Sequence, residues 1–383
     1  MRNLGTVVRG IRAPIIKQGD DLETIVVDSI LNASKNNNID FNDKDIVAVT
    51  ESLVARSQGN FVTLDNIAKD INNKFGDEVG VIFPIFSRNR FSLILKAIAR
   101  GVKKVYLLLN YPKDEVGNPV ANLDKLYEKG INPYSDSFTE KEFKEIFNDE
   151  DRKNPFTGVD ILEYYKGLSE NIEVIFSNNP ETILKYTKNV LAADIHTRFR
   201  TKEVLKKSGA EKVYSLDEIL NKSIDGSGYN EDYGLLGSNY STDERLKLFP
   251  RNGQIFVDNI QKKLIEKTGK KIEVMIYGDG AFKDPIAGIW ELADPVVSPA
   301  YTSGLDGTPH ELKLKFLADS SNLSDSEIIE KIRQKNISVK ESLGTTPRKV
   351  TDLVGSLCDL TSGSGDKGTP IILIQGYFDN YSN

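Results

Sequence analysis

The sequence predicts an α/β protein of mixed type, and three observations support this fold class. From about residue 80, short apolar runs that suit buried strands alternate with segments of helical periodicity. The same mixture recurs near the amino terminus and in the last third of the chain. The composition, with 39% hydrophobic and 28% charged residues, is typical of a globular protein. A length of 383 residues suggests two or three domains.

The first 60 residues predict an extended segment, a helix and a strand. Residues 5–16 read as extended, and helical spacing of apolar residues begins behind the acidic pair at 20–21. The asparagine run 36–38 ends this helix. The apolar run 46–50 predicts a strand, and the polar and basic stretch 51–58 follows it.

The middle of the chain predicts parallel pairing, because its strands are separated by helical or long connecting segments. The segment 111–168 is rich in charged residues and asparagine, and we interpret it as a surface excursion. The glycine-, serine- and asparagine-rich segment 221–238 predicts a loop or a domain boundary. The predicted elements are strands 81–84, 105–109, 172–176 and 190–194 and a helix at 91–100.

The last third of the chain is again mixed. Ser324 and Glu327 have the spacing of a capping box at a helix start. Cys358 falls on an apolar helical stripe, which predicts a core residue and not a nucleophile. The predicted elements are helices 256–268 and 325–335 and strands 272–277, 312–318 and 370–374.

Charge and composition exclude several classes of protein. The net charge of −6 gives no basic excess for a dedicated nucleic-acid partner, and no apolar run is long enough to span a membrane. The single cysteine fits a reducing compartment. The first 15 residues lack the apolar core of a signal peptide. We therefore expect a cytoplasmic enzyme that acts on small molecules.

Histidine chemistry has little to draw on, whereas aspartates follow several predicted strands. The chain has two histidines, and we interpret His196 as a structural residue. Asp194, Asp279 and Asp319 lie at the ends of predicted strands. Asp279 stands between two glycines after the strand 272–277, where a carboxylate suits a hard cation such as Mg²⁺ or Mn²⁺. A plain Asp-Gly turn is the alternative.

The segment 363–368 has the pattern GxGxxG in a reversed context. A dinucleotide site needs a strand before and a helix after the glycines, whereas here the helix comes first. We therefore reject a Rossmann interpretation. The loop still offers successive backbone N–H groups to a phosphate, with a flexible connector as the alternative.

Six segments resemble motifs of the γ-glutamyl ligases of the deazaflavin coenzyme F-420, in the same order. The first carries a Pro-Ile-Ile, basic, Gly-Asp-Asp-Leu pattern that leads into a helix. The resemblance implies a discontinuous ligase-like core at 1–75 plus 230–383, with an inserted α/β domain at 76–229. The six segments are 10–22, 43–49, 54–59, 234–239, 278–285 and 350–376.

The resemblance implies an acid–amino-acid ligase that adds L-glutamate to a carboxylate of a deazaflavin-like acceptor. It implies GTP as the nucleotide, Mg²⁺ or Mn²⁺ as the metal, and a homodimer without nucleic-acid or membrane partners. The implied metal-binding positions are Asn239, Asp279, Gly280 and Ser364. The implied nucleotide-binding residues are Ala13, Pro14, Ile15, Ile16, Arg56, Ser362, Gly363, Gly365, Asp366, Lys367, Gly368 and Thr369.

This sequence departs from the family pattern at four of these places. Leu236 stands where the family has its first metal-binding aspartate, and Arg56 replaces a lysine. Gly280 replaces a hydroxyl residue, and Ser364 replaces a glutamine. Three alternatives therefore stay open: a ligase for a folate- or pterin-like acceptor, a catalytically altered nucleotide-binding homologue, and a metal-dependent phosphohydrolase that uses the strand-end aspartates.

Overall fold

A computed structural model of the chain confirms the mixed α/β fold class. The structure describes residues 4–155, 157–278, 281–283, 290–292, 298–309, 312, 314–320, 323–334, 348–363, 365–380 and 382.

The elements within these ranges are numbered in chain order. The strands are β1 (Val7–Ile11), β2 (Ile46–Thr50), β3 (Phe61–Thr63), β4 (Glu78–Ile82), β5 (Lys104–Leu109), β6 (Phe138–Thr139), β7 (Ile172–Phe176), β8 (Asn189–Ala192), β9 (Lys212–Ser215), β10 (Ser238–Thr242), β11 (Arg245–Leu248), β12 (Glu273–Tyr277), β13 (Ala281–Lys283), β14 (Trp290–Leu292), β15 (Ala300–Tyr301) and β16 (Ile371–Gln375). The helices are α1 (Leu22–Asn37), α2 (Glu51–Gln58), α3 (Leu64–Phe75), α4 (Arg90–Gly101), α5 (Leu123–Glu128), α6 (Glu140–Ile146), α7 (Asp149–Arg152), α8 (Ile161–Lys166), α9 (Arg198–Lys207), α10 (Gly253–Thr268), α11 (Leu314–Ser320), α12 (Asp325–Gln334) and α13 (Val350–Thr361).

The chain divides into two compact units. Unit 1 comprises Met1–Ser57, Asn252–Gly280 and Val296–Asn383, and unit 2 comprises Gln58–Arg251 and Ala281–Pro295. The core and insertion boundaries that the family resemblance implies remain a prediction.

Unit 1 is built on a five-stranded sheet in the order β1-β16-β2-β12-β15. β2 and β12 are parallel, and β16 pairs antiparallel with both β1 and β2. Helices cover both faces of this sheet. Alternate residues of β2 point to opposite faces and therefore pack against different helices. Val47 and Val49 pack in one cluster with α1 and α10, whereas Ile46 and Ala48 pack in another with α13. The first cluster includes Val26, Ile30, Val257 and Ile260, and the second includes Val350, Val354 and Cys358.

Unit 2 contains a six-stranded sheet in the order β6-β7-β5-β4-β8-β9, in which all strands except β6 are parallel. Leu107 and Leu109 pack on the face that α3 and α4 cover, and Leu108 packs on the face that α9 covers. The six-stranded sheet confirms the parallel pairing predicted for the middle of the chain. A second sheet of unit 2 is antiparallel and has the order β10-β11-β3.

The predicted surface excursion at 111–168 is wrong in part, because this segment supplies core side chains. Phe143 is fully buried and stacks on Phe176 of β7, with ring centroids 3.6 Å apart. Tyr165 is also buried, and its hydroxyl accepts a hydrogen bond from the backbone N–H of Ser87 at 2.9 Å. Many charged residues of the segment are exposed, but Arg152 on α7 is buried and pairs with Asp149 and Asp160.

The predicted strand at 312–318 is also wrong, because Leu314–Ser320 is a helix, α11. The alternating sequence of this segment suits a strand, but α11 instead contacts α12, so tertiary packing overrides the local pattern. The predicted helices at 91–100, 256–268 and 325–335 and the predicted strands at 46–50, 105–109, 172–176 and 272–277 are confirmed within two or three residues.

Candidate functional site

Two segments that the family resemblance assigns to the nucleotide lie side by side in unit 1. β1 and β16 pair antiparallel, with Ile11 opposite Ile371, so the residues after β1 run beside the residues before β16. The backbone N–H of Ala13 donates to the carbonyl of Gly368 at 3.2 Å. The structure thus brings the segment 13–16 next to the glycine-rich loop 362–369.

The glycine-rich loop is closed at its base by two residues. The N–H of Thr369 donates to the carbonyl of Gly363 at 2.9 Å, and the N–H of Gly363 donates to Thr369 Oγ1 at 3.0 Å. A β-carbon on Gly363 would lie 2.4 Å from Cβ of Lys367, so this turn requires glycine. Asp366 and Lys367 are exposed at its tip. Lys367 is therefore available to an anion that approaches the loop.

The base of the loop is fastened to the ends of two parallel strands. The carbonyl of Pro370 accepts a hydrogen bond from the N–H of Thr50 at 3.1 Å and from the hydroxyl of Tyr277 at 3.3 Å. Thr50 ends β2, and Tyr277 ends β12 opposite it. The loop therefore lies at the edge of the sheet where β2 and β12 deliver their carboxyl ends.

Arg56 lies on α2, which begins directly after β2. The carbonyl of Ser57, the next residue, accepts the N–H of Gly19 at 2.8 Å, so this helix contacts the chain just beyond Ile16. Arg56 is exposed and is therefore accessible to an anion. Ile16 is 2% exposed and packs in the core, whereas Ile15 is 88% exposed. At position 16, therefore, the backbone and not the side chain is placed to contact a ligand.

A groove of about 890 Å³ lies between β1, α1 and the glycine-rich loop, and the sequence analysis did not predict it. Arg12 and Lys367 supply two exposed cations to its wall, and α1 supplies amide side chains. Amides both donate and accept hydrogen bonds, and the cations favour an anion. The lining residues are Gly10, Ile11, Arg12, Ser29, Asn32, Ala33, Asn36, Asn37, Thr361, Lys367 and Thr369.

The sequence analysis also missed Glu51, the first residue of α2. This glutamate is 3% exposed and directly follows β2. A carboxylate after an apolar strand is the same signal that singled out Asp279, which follows the neighbouring strand β12 in the sequence. The pattern could therefore have drawn attention to Glu51.

Three of the four predicted metal-binding positions, Asp279, Gly280 and Ser364, lie outside the described residues. Asn239 lies on β10 in unit 2, directly opposite Lys247 of β11, which is 8% exposed. Opposite residues of an antiparallel pair share a face, and a lysine there does not favour a dication. Within the described ranges, no three His, Cys, Asp or Glu side chains form a group that could hold a metal.

Leu236 and Cys358 are core residues. Leu236, which the motif resemblance aligns with an aspartate of the family, is 1% exposed, and its carbonyl accepts a hydrogen bond from the Arg90 guanidinium. Cys358 is fully buried, and burial raises the pKa of its thiol well above the ordinary value. The prediction that Cys358 is a core residue is therefore confirmed, and a thiolate nucleophile is disfavoured here.

Comparison with known proteins places the chain among ligases. It belongs to the F420-0:Gamma-glutamyl ligase family, whose sequence model matches residues 10–376. The family resemblance seen in the motifs is thereby confirmed. No curated protein matches the chain. Across the part of the chain that the structure describes, no helix has both the length and the apolarity to cross a membrane.

Proposed function

We propose that this protein uses GTP and a divalent metal to join L-glutamate to a carboxylate of a deazaflavin-type acceptor. The family match supports a γ-glutamyl ligase. The observation that carries the assignment to unit 1 is the hydrogen bond from Ala13 to Gly368, which joins two segments expected to contact the nucleotide. The groove beside them is lined by two cations and several amides.

The nucleotide would lie along the loop and the groove. Lys367 at the loop tip, Arg12 in the groove and Arg56 on α2 offer positive charge for the phosphates. The amides of Asn32 and Asn36 on α1 can donate to and accept from the edge of a purine base. The backbone N–H groups of the loop add donors that need no side chain.

The ligation requires activation, because a carboxylate is a poor electrophile. A carboxylate oxygen of the acceptor attacks the γ-phosphorus, the bond to the bridging oxygen breaks, and GDP leaves. The glutamate amine then attacks the carbonyl carbon of the acyl phosphate, phosphate leaves, and the amine loses a proton. Phosphoryl transfer needs positioning and cancellation of charge, which Arg12, Arg56 and Lys367 can supply.

The metal would be held mainly by carboxylates that follow β2 and β12. Glu51 follows β2, and Asp279 comes two residues after β12 in the sequence. Bound there, a hard dication would add positive charge at the phosphates. Asn239 fits this role less well, because it pairs across the strands with the buried Lys247.

Release of phosphate from GTP tests the proposal. The full chain is incubated with GTP, Mn²⁺, labelled L-glutamate and a deazaflavin carrying a free carboxylate. We expect phosphate release and amide formation at a one-to-one ratio, and neither product when glutamate or acceptor is left out. Phosphate release without either co-substrate would instead identify a phosphohydrolase, and a pterin-like acceptor that outcompetes the deazaflavin would change the acceptor class.

A second candidate is a nucleotide-binding homologue that does not turn over. The observation that favours it is Leu236, because this side chain is buried in the apolar core at the family's aspartate position. In that case GTP with Mn²⁺ would raise the melting temperature, while no combination of acceptor and glutamate would release phosphate. The same incubations therefore separate the two candidates.

A further inference from the structure

Unit 2 has a ligand-binding topology of its own. Its parallel strands have the order β7-β5-β4-β8-β9. After β4, the chain adds β5 and β7 on one side of β4 and then returns to add β8 and β9 on the other side. Ligands of such sheets bind outside the carboxyl ends of the strands, where the order reverses. In unit 2 this point lies between the ends of β4 and β8.

The turn after β8 already holds an anion at this point. The backbone N–H of Ile195 donates to Glu115 Oε1 at 2.6 Å, and that of His196 donates to Oε2 at 3.2 Å. Two successive N–H groups that precede a helix, here α9, form a concave anion site. The anion comes from the chain itself, because Glu115 belongs to the loop that follows β5.

Asp194, the residue before this turn, supplies a second and independent observation. It is 1% exposed, and its Oδ2 accepts hydrogen bonds from Thr197 and Thr201 at 2.6 and 2.7 Å. Its Oδ1 is buried and accepts no hydrogen bond from another residue. A buried acceptor without a donor is destabilising, so this oxygen is suited to a donor from a ligand.

The charges around the turn show which donor fits. Burial raises the pKa of Glu115, and the nearby carboxylate of Asp194 raises it further. Burial likewise raises the pKa of Asp194. Arg198 is a partly buried cation here, and its Nε already lies 3.2 Å from the carboxylate of Asp217. Three carboxylates and one guanidinium leave an excess of negative charge, which an ammonium group would offset.

We propose that this site of unit 2, the Ile195–His196 turn together with Asp194, binds the α-carboxylate and α-ammonium groups of a free amino acid. The ligand carboxylate displaces that of Glu115 from the N–H groups of Ile195 and His196, and the ammonium donates to Asp194 Oδ1. A zwitterion suits this site better than a phosphate ester, which would add negative charge beside Asp194. The site belongs to unit 2 alone and does not depend on the ligase reaction.

Amino-acid binding to the full chain without nucleotide or acceptor tests this proposal. The probes are glycine, L-glutamate, acetate and ribose 5-phosphate, and binding is followed at the backbone amide resonance of His196 and by calorimetry. We expect Glu115→Ala to bind glycine at least tenfold more tightly than wild type. In this variant the N–H groups of Ile195 and His196 no longer bind the Glu115 carboxylate. Asp194→Asn in the Glu115→Ala background should lose that gain, and acetate should bind more weakly than glycine.

Several outcomes would overturn the proposal. Glycine affinities that are equal in wild type and Glu115→Ala would show that Glu115 does not block a site. Tighter binding of ribose 5-phosphate than of glycine would assign the site to sugar phosphates. If Glu115→Ala does not fold, the wild-type titration decides: glycine at high concentration must shift the His196 amide, and a resonance that does not move refutes the site. Because GTP is absent throughout, failure here leaves the ligase assignment untouched.

Discussion

Gly10 and Thr369 approach each other so closely that a β-carbon on Gly10 would lie 2.9 Å from Cβ of Thr369. Gly10 lies in β1, and Thr369 closes the base of the glycine-rich loop through its bonds to Gly363. The absence of a side chain at position 10 therefore lets the edge strand support the closed form of the loop.

Substitution of Gly10 by alanine should disturb both stability and nucleotide binding. The added methyl group must displace Thr369, and overpacking of this kind costs about 1–3 kcal/mol. Chemical denaturation and GTP titration measure the two effects. Gly5→Ala is the matched control, because a β-carbon there meets no atom within 4 Å. Wild-type GTP affinity in Gly10→Ala would show that loop closure does not matter for binding.

The double variant Arg12→Ala, Lys367→Ala should weaken GTP binding by more than tenfold. Both side chains line the groove and are exposed, so their loss removes positive charge without opening the core. The remaining affinity should also depend less on salt, because fewer charges are screened. Lys262→Ala removes an exposed lysine of α10 as the control. An equal loss of affinity in the control would point to net charge and not to the groove.

Asp279→Asn should abolish the effect of Mn²⁺ on nucleotide binding. The amide keeps the size of the side chain but removes the negative charge that a hard dication needs. Mn²⁺ titration with melting curves tests this, with Asp28→Asn, an exposed aspartate of α1, as the control. Should the Asp-Gly turn be the correct alternative, the Mn²⁺ response is unchanged and about 1 kcal/mol of stability is lost.

Asp194→Asn should gain stability relative to wild type as the pH rises. Burial raises the pKa of Asp194 despite the hydroxyl donors Thr197 and Thr201. The folded carboxyl therefore keeps its proton at pH values where the unfolded one has lost it. Wild-type stability then falls from about pH 4 up to the folded pKa, by about 1.4 kcal/mol per pH unit. The amide of the Asp194→Asn variant does not titrate, so the stability of the variant lacks this dependence on pH.

Denaturation curves between pH 4 and 8 measure this difference. Thr201→Val is an informative companion, because loss of its hydrogen bond to the charged form raises the pKa of Asp194 further and extends the fall to higher pH. Parallel pH profiles for wild type and Asp194→Asn would contradict the prediction.

Phe143→Ala should destabilise unit 2 by about 3–5 kcal/mol, because the ring is fully buried and stacked on Phe176. Thermal or chemical unfolding provides the measurement. Tyr134→Ala, in the same segment but 91% exposed, should change stability by no more than about 0.5 kcal/mol. Similar small effects for both variants would restore the view of this segment as a surface excursion.

The strongly patterned elements could be predicted from sequence, whereas elements that depend on distant contacts could not. β2 and β12 each contain four consecutive apolar residues, and their lengths and compositions suffice to identify them. In 111–168 the polar residues outnumber the apolar ones, and only packing against β7 shows that Phe143 belongs to the core. For α11, alternation in the sequence favoured a strand, but contact with α12 stabilises a helix.

The candidate site shows the same division. The segments 13–16 and 362–369 were assigned from motifs, and the pairing of β1 with β16 then places them together. Arg12 and the asparagines of α1 could not be assigned to a site from the sequence. Their local pattern indicates no groove, because the groove forms only when α1 packs beside the edge strand β1. Glu115 and Asp194 are 79 positions apart, and sheet topology alone brings them together.

The carbonyl of Pro370, which receives hydrogen bonds from both Thr50 and Tyr277, has a consequence for the energetics of binding. It connects the loop expected to hold phosphates with the strand that leads to Asp279. A ligand that shifts the loop must strain or relieve these two hydrogen bonds. Nucleotide binding at the loop and metal binding after β12 would therefore be coupled in free energy. Such linkage is reciprocal: whatever factor the metal contributes to nucleotide affinity, the nucleotide must return to metal affinity.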